Sequence, residues 1–388
     1  MRLDWEVYGL ELATPLRISR SVMARRDAVR VTVESDGLVG HGEVVTSVYY
    51  GLDVPRIIEL LESADIYDTA DLPAGVQAAI DAALFDLEGK RAGVPVHRLL
   101  GSPVWRDVPT AYTIGITGPA DAARQARDLA ARGFSVLKVK VGADITPVEA
   151  VRAAAPEATL LIDPNGAWTP AEAARHLDAL TELGVDAVEQ PIAAGDLDGL
   201  AWLSARTQVP LIADEDAETA ADVRELAGIV AGVNIKLAKC GGLASAMEII
   251  ETARACGMDV MLGCLVASSL GIAPAVHLTG YARWVDLDGH LLLAHDPWTG
   301  ISGEDGTLRL SDHPGLGVTP RNPTPNGRHD HLNHTPEHPE PASTQPPPVP
   351  GGRPLSSLSG VRAGRGVVDL PVDNPGNVDN PGKPWTAR

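Results

Sequence analysis

The hydrophobic rhythm of the chain changes twice. Over residues 1–35 apolar positions alternate, with Val29, Val31 and Val33 set against Arg30 and Thr32, which predicts strands. Residues 73–92 then place Val76, Ile80, Ala83, Leu84 and Leu87 on one helix face. Strands followed by a helix predict a small α+β domain over residues 1–107. From Val108 onward, β-branched runs alternate with Ala-rich amphipathic segments such as 170–183 and 219–231. The runs lie at 136–141, 159–163, 187–189, 209–213, 233–237, 259–262 and 284–287, and a first strand is expected near 110–116. Lys138, Asp163, Glu189, Asp214, Lys236, Met261 and Asp286 follow one another at steps of 25, 26, 25, 22, 25 and 25 residues. A strand–loop–helix unit repeated at that length predicts an α/β chain closing into a (β/α)8-type barrel over 108–320. A doubly wound open sheet would bring a glycine-rich phosphate turn after its first strand, and none is present. The last stretch, about 295–320, is free to return to the N-terminal domain.

Residues 321–388 read differently. They hold 14 of the 31 prolines, show no apolar periodicity, and repeat Val-Asp-Asn-Pro-Gly at Val372 and Val378. Such a segment cannot bury enough apolar surface to offset its ordering entropy, which predicts a disordered tail. His329, His331, His334 and His338 read as part of this solvated appendage. The net charge of −19, with 51 acidic against 32 basic residues, argues against a nucleic-acid partner. Cys240, Cys256 and Cys264 form no disulfide framework and suit a reducing compartment. The start MRLDWEVYGL lacks the pattern of a secretory signal. Val260–Ala282 carries no Asp, Glu, Lys or Arg, but Gly263, Ser268, Gly271 and Pro274 interrupt it, so it reads as a buried strand and helix. A cytoplasmic protein with no membrane partner is expected, and a homo-oligomer is compatible with the sequence.

The polar residues of the barrel region sit at strand ends, which surround the mouth where such barrels hold their active sites. Lys138 and Lys140 flank Val139, so period-2 geometry points both ammonium groups the same way. Asp163, Glu189 and Asp214 contribute one carboxylate from each of three consecutive strands. Like charges on one cavity wall repel unless a cation sits among them, and hard oxygen ligands favour Mg²⁺. Lys236, on the sixth strand, lies across the circle from Lys140 on the second, which would place an amine on each face of a central carbon. A lysine near other cations and a divalent metal is expected to have a lowered pKa, suiting it to proton transfer.

LKVKVG (137–142), DPNG (163–166), EQP (189–191), ADE (213–215) and NIKLAKCGG (234–242) resemble successive strand-end motifs of the enolase superfamily, muconate-lactonizing subgroup. The helix AAIDAALFDLEGK (78–90) and the segment GHGE (40–43) resemble that family's capping domain. The resemblance implies a modified TIM barrel under an N-terminal α+β cap. It also implies Mg²⁺ held by Asp163, Glu189 and Asp214, a metal-stabilised enediolate, Lys140 and Lys236 as acid and base, and Lys138 as electrostatic support. Asp286-Leu-Asp288 resembles the D-x-D by which dipeptide epimerases hold the substrate ammonium. Arg20 lies near the position of an arginine that anchors an acidic side chain in L-Ala-D/L-Glu epimerases, with Arg17, Arg25 and Arg26 close by. Ala267 departs from the pattern, standing where the family commonly has a glutamate.

The expected function is therefore Mg²⁺-dependent 1,1-proton transfer at the α-carbon of a dipeptide's C-terminal residue, with L-Ala-D/L-Glu or a related dipeptide as substrate. A muconate-type cycloisomerase or o-succinylbenzoate synthase would use the same metal and lysines but would leave Asp286 and Asp288 without a cation to meet. A catalytically silent binding or scaffold protein is the alternative from another class, with Ala267 in its favour.

Overall fold

A computed structural model describes residues 1–18, 21–103 and 107–321, together with the backbone of 367–369. The expected disordered tail lies almost wholly outside the described residues, as does Arg20. Strands β1 (Arg2–Arg17), β2 (Val22–Ser35) and β3 (Leu38–Val45) form an antiparallel sheet. Val29, Val31 and Val33 face helices α1 (Val54–Glu62) and α2 (Ala74–Ala92), whereas Leu10, Leu12 and Ala28 face the barrel. Val367–Asp369 pairs with Arg2–Asp4 along the outer edge of β1.

Glycine in GHGE has a packing reason. β3 lies so close to α2 that a Cβ at Gly40 would come 2.0 Å from the Ala83 carbonyl oxygen, and one at Gly42 1.9 Å from that of Ala79. α2 also fastens the cap to the barrel. Asp81 accepts a 2.6 Å hydrogen bond from Leu243 N, supplying a cap to a barrel helix that Gly242 cannot cap itself.

After α3 (Val96–Leu99), β4 (Val108–Pro109) leads into eight parallel strands. They are β5 (Ala111–Ile114), β6 (Val136–Lys140), β7 (Thr159–Asp163), β8 (Ala187–Glu189), β9 (Leu211–Ala213), β10 (Gly232–Ile235), β11 (Asp259–Leu262) and β12 (Trp284–Val285). Helices α4 (Pro119–Ala131), α5 (Thr146–Ala154), α6 (Pro170–Glu182), α7 (Leu197–Ser204) and α8 (Ala220–Glu225) follow the first five in turn. A single turn, α9 (Leu237–Cys240), precedes α10 (Leu243–Ala255), and α11 (Ser269–Val276) follows β11. Each strand pairs with the next in sequence, from β5 through β12. The two outer strands meet through side chains: Thr110 Oγ1 accepts from Leu287 N at 3.0 Å, and Asp288 Oδ2 from Thr113 N at 2.6 Å. Ala111, Leu161, Ala187, Ile212, Met261 and Trp284, from six strands around the circle, fill one inner cluster, as a closed barrel requires. The predicted helix 219–231 is shorter, because Gly228 at φ +76° turns the chain out of helical geometry.

Beyond β12 the chain crosses back to the cap. Thr307–Leu308 pairs with β4, Leu316 N donates to Asp86 Oδ1 at 2.8 Å, and Val96 N donates to Gly315 O at 3.0 Å. His277 anchors the same strap: its Nδ1 accepts from His97 N at 3.1 Å, which leaves Nε2–H to donate to Leu316 O at 3.2 Å. The Nδ1 contact requires the neutral ring, and burial pushes its pKa down to about 3. The folded pKa lies below the unfolded one, so this contribution is complete above about pH 6.5 and is lost as the pH falls towards 3. Asp81, pushed up to about 7 by burial, titrates in the opposite sense, so the readout is a difference between proteins. Between pH 7 and pH 5, His277→Gln is expected to lose about 2 kcal/mol less stability than the parent chain in urea unfolding. Equal losses would show that His277 is not held neutral. Among the described residues no helix is long and apolar enough to cross a membrane.

Candidate active site

Val139 packs outward among the helices, so Lys138 and Lys140 point into the barrel from β6. Their depths differ. The Lys138 side chain is 3% exposed, beneath the mouth, whereas Lys140 and Lys236 are 13% and 14% exposed. Lys138 Nζ lies 3.0 Å from Asp163, 2.5 Å from Glu189 and 2.8 Å from Asp286. Lys140 Nζ donates to Asp163 Oδ2 at 2.6 Å and to Asn165 Oδ1 at 3.1 Å. Lys236 Nζ donates to Asp214 Oδ2 at 2.5 Å and stands 3.6 Å from Glu189 Oε1. Asp163, Glu189 and Asp214 thus form a row. Neighbours in it share an ammonium, with Lys140 at the Asp163 end and Lys236 at the Asp214 end.

Burial works against the Asp163 anion, but Lys138 and Lys140 outweigh it and hold its carboxyl below the ordinary range. The same contest at Asp214 is won by Lys236 and Lys239. Glu189 differs: burial and the Asp163 charge outweigh Lys138 and Lys236 and push its pKa up to about 7. Its Oε2 is paired with the Lys138 ammonium at 2.5 Å and its Oε1 stands 3.6 Å from that of Lys236, so the middle carboxylate shares both ammoniums with its neighbours in the row. Three buried carboxylates at neighbouring strand ends are the hard oxygen donors that suit a divalent cation such as Mg²⁺. They are not gathered around one point here: among the described residues no three His, Cys, Asp or Glu side chains form a metal-holding group. The ammoniums of Lys138 and Lys236 stand between them instead.

The expected lowering of the Lys236 pKa is corrected. Burial lowers it, but the Asp214 and Glu189 carboxylates outweigh burial and raise it. Lys138 is likewise raised, by Asp163, Asp286 and Glu189 against burial. Its partners are acids, not the neighbouring lysine.

Asp286 and Asp288 both lie at the barrel wall, but neither is wholly free. Asp286 Oδ2 is taken by Lys138, while its Oδ1 is buried without a hydrogen bond; Asp288 Oδ2 holds Thr113 N. Burial and the Asp286 charge push Asp288 up to about 7, so a ligand cation would be welcome there. Of the neighbouring arginines, Arg25 pairs with Glu11 and Asp27. Arg26 turns towards the barrel, with Nη1 3.5 Å from Val266 O.

Several site residues escaped the sequence reading. Asn234, two residues before Lys236, donates to Glu189 Oε1 at 2.8 Å, and its period-2 spacing could have revealed it. Lys239, one helical turn after Lys236, is buried and holds Asp214 Oδ1 at 3.0 Å, the Asp214 carbonyl, and Asn234 O at 2.8 Å. Gln190, at φ +38°, accepts from Asp214 N at 2.9 Å and ties the second and third carboxylate strands together. Nothing in EQP signals that conformation.

The cap loop after β3, closed by paired backbone hydrogen bonds between Ser47 and Leu52, carries Tyr50 over this site. Between that loop and the ends of β10 and β11 lies a pocket with Lys236 in its wall. Ala267 also lines it. Beside Ala267, the half-buried carboxylate of Glu43 from β3 accepts from Ser268 N at 2.9 Å and from the hydroxyls of Ser268 and Tyr8.

Comparison with known proteins gives a consistent picture. Residues 121–324 match the family described as enolase C-terminal domain-like, and residues 51–101 match the mandelate racemase/muconate lactonizing enzyme N-terminal domain. A hydrophobic dipeptide epimerase of Roseobacter litoralis is 35% identical over 339 residues, which cover 82% of this chain and 98% of that one. Among solved structures, the substrate-liganded L-Ala-D/L-Glu epimerase of Bacillus subtilis is similar at TM-score 0.78 and 28% identity, covering 82% of this chain and 98% of that one. The dipeptide epimerase of Enterococcus faecalis, complexed with Mg and L-Leu-L-Tyr, is similar at TM-score 0.77 and 31% identity, with 82% and 99% covered.

Proposed function

Because the chain belongs to the mandelate racemase/muconate lactonizing enzyme family of enolase-like proteins, we propose that it is a Mg²⁺-dependent dipeptide epimerase. The observation that carries this reading is the row of three buried carboxylates with a mouth-facing lysine at each end. Asp163, Glu189 and Asp214 would hold the cation. When bound, it supplies a Lewis acid that fixes the substrate carboxylate and offsets the charge left as the α-proton departs. Lys140 and Lys236 exchange roles with direction: one removes the α-proton and the other delivers a proton from the opposite side. Lys138, deeper and held protonated, keeps positive charge beneath the carboxylate row. Asp288 and the free oxygen of Asp286 receive the substrate ammonium. Residues 1–107 act as the cap, and the loop bearing Tyr50 keeps water from the reacting carbon. The substrate is a dipeptide of the L-Ala-D/L-Glu kind or a related one, and the compartment this reading implies is the cytoplasm.

In D₂O with Mg²⁺, the full chain is expected to incorporate one deuteron at the α-carbon of an active dipeptide's C-terminal residue, read as a mass gain of one. EDTA is expected to stop the exchange and added Mg²⁺ to restore it. Exchange that continues at full rate in EDTA would contradict the metal assignment.

A further inference from the structure

Gly75, Ala78 and Ala82 of the cap helix α2 line the pocket that has Lys236 in its wall. Gln77 and Asp81, four residues apart on the same helix, meet the chain that leaves Lys236. That chain turns tightly. Lys236 O accepts from Lys239 N at 2.8 Å and from Cys240 N at 3.1 Å, which makes the single turn α9, and Gly241 and Gly242 follow at φ +97° and +121°. A helix of one turn does not hold itself in place, so its neighbours must fix it. Lys239 does so from the side of Asp214. α2 does so at the other end. A Cβ on Gly241 would come 2.4 Å from Gln77 Oε1, and one on Gly242 2.5 Å from Asp81 Oδ2, so the turn lies directly against these two side chains. Gln77 is itself anchored in the cap, with Nε2 donating to Thr69 O at 2.7 Å and to Ala70 O at 3.0 Å.

Asp81 adds a hydrogen bond that this turn cannot make for itself. Gly242 has no side chain with which to cap α10, and Asp81 Oδ2 accepts from Leu243 N at 2.6 Å. Burial pushes the Asp81 carboxyl up to about 7, while the N–H groups of Leu243 and Ala244 favour its anion. Negative charge at the first turn also meets the positive end of the α10 dipole. Cys240, the titratable neighbour on α9, is pushed up to about 11 by burial and stays an uncharged thiol. Without the Asp81 acceptor the start of α10 would turn its free N–H groups elsewhere, and the Gly-Gly turn and α9 would move with it. A displacement of about 1 Å at a reacting group costs roughly a hundredfold in rate.

We propose that Asp81 is a positioning residue for Lys236: from the cap, it holds the start of α10 and thereby the turn that aims the Lys236 ammonium at the reacting carbon. The inference rests on the epimerase reading, which makes Lys236 the acid–base group for one face only.

The test is α-proton exchange by the full chain with Mg²⁺ in D₂O at about pH 8, on each epimer of an active dipeptide, with kcat and KM measured separately. Lys236→Ala identifies the epimer that depends on Lys236. For that epimer Asp81→Ala is expected to lower kcat at least tenfold, with KM within twofold of the parent chain's, while exchange of the other epimer stays within twofold. Asp81→Asn is expected to stay within threefold of the parent chain on both epimers, because its amide oxygen accepts from Leu243 N in the same way. Gln77→Ala, which removes the contact on Gly241, is expected to slow the same epimer at least threefold and covers the case in which Asp81→Ala does not fold. Equal slowing of both epimers by a folded variant marks a general structural role and overturns the proposal. So do rates unchanged in every folded variant, or an asparagine variant as slow as the alanine one. Those outcomes leave the epimerase reading standing. No exchange on any dipeptide by folded, Mg²⁺-saturated parent chain, or Lys236→Ala acting equally on both epimers, overturns the two-lysine reading and this inference with it.

Discussion

Lys236→Ala and Lys140→Ala are each expected to lower epimerisation by roughly 10²–10⁴-fold, the range for loss of a positioned acid–base group. The more telling outcome is one-sided. The two ammoniums sit at opposite ends of the carboxylate row, Lys140 on Asp163 and Lys236 on Asp214. Each should therefore reach one face of a carbon held between them. With one lysine gone, the other can still take the proton facing it and return a solvent deuteron to the same face. Each variant should exchange one epimer in D₂O without inverting it, and the two variants should exchange opposite epimers. Both epimers exchanging in both variants would mean that the lysines do not divide the work. Lys236 is held protonated by the two carboxylates that a divalent cation would claim. They cannot pair fully with both, so filling the metal site loosens the hold on that ammonium.

Lys239→Met is expected to cost about 3 kcal/mol of stability, the lower end for stripping one partner from a buried ion pair. The Asp214 carboxylate would keep Lys236, but its Oδ1 and two backbone carbonyls would lose their only side-chain donor in this network. That loss should lower the melting temperature by about 6–12 °C in a domain of this size. A variant melting within 2 °C of the parent chain would show that Lys239 is incidental to Asp214.

The barrel was readable because its repeat is regular and because each charged strand end interrupts an otherwise apolar run. Lys138, Asp163, Glu189, Asp214 and Lys236 announce themselves in this way: a charge where a buried strand should have none needs a reason. The partners that fix these groups were harder to see. Gln190 acts through a left-handed backbone that no residue pattern encodes. Lys239 folds back because one helical turn happens to begin after Lys236. Glu43 reaches Ser268 across 225 positions of sequence. Such contacts depend on how the cap docks, which periodicity within a segment cannot report. The Lys236 pKa is raised rather than lowered for a related reason: strand spacing displays the other lysines, while the nearest charges in space are the carboxylates of Asp214 and Glu189.

The most direct test is a crystal structure of the full chain soaked with Mg²⁺ and an active dipeptide. One cation is expected on Asp163, Glu189 and Asp214 together, with the substrate carboxylate on that cation and the Lys140 and Lys236 nitrogens on opposite faces of the α-carbon. A cation bound away from those three side chains, or both nitrogens on the same face, would contradict the assignment of these roles.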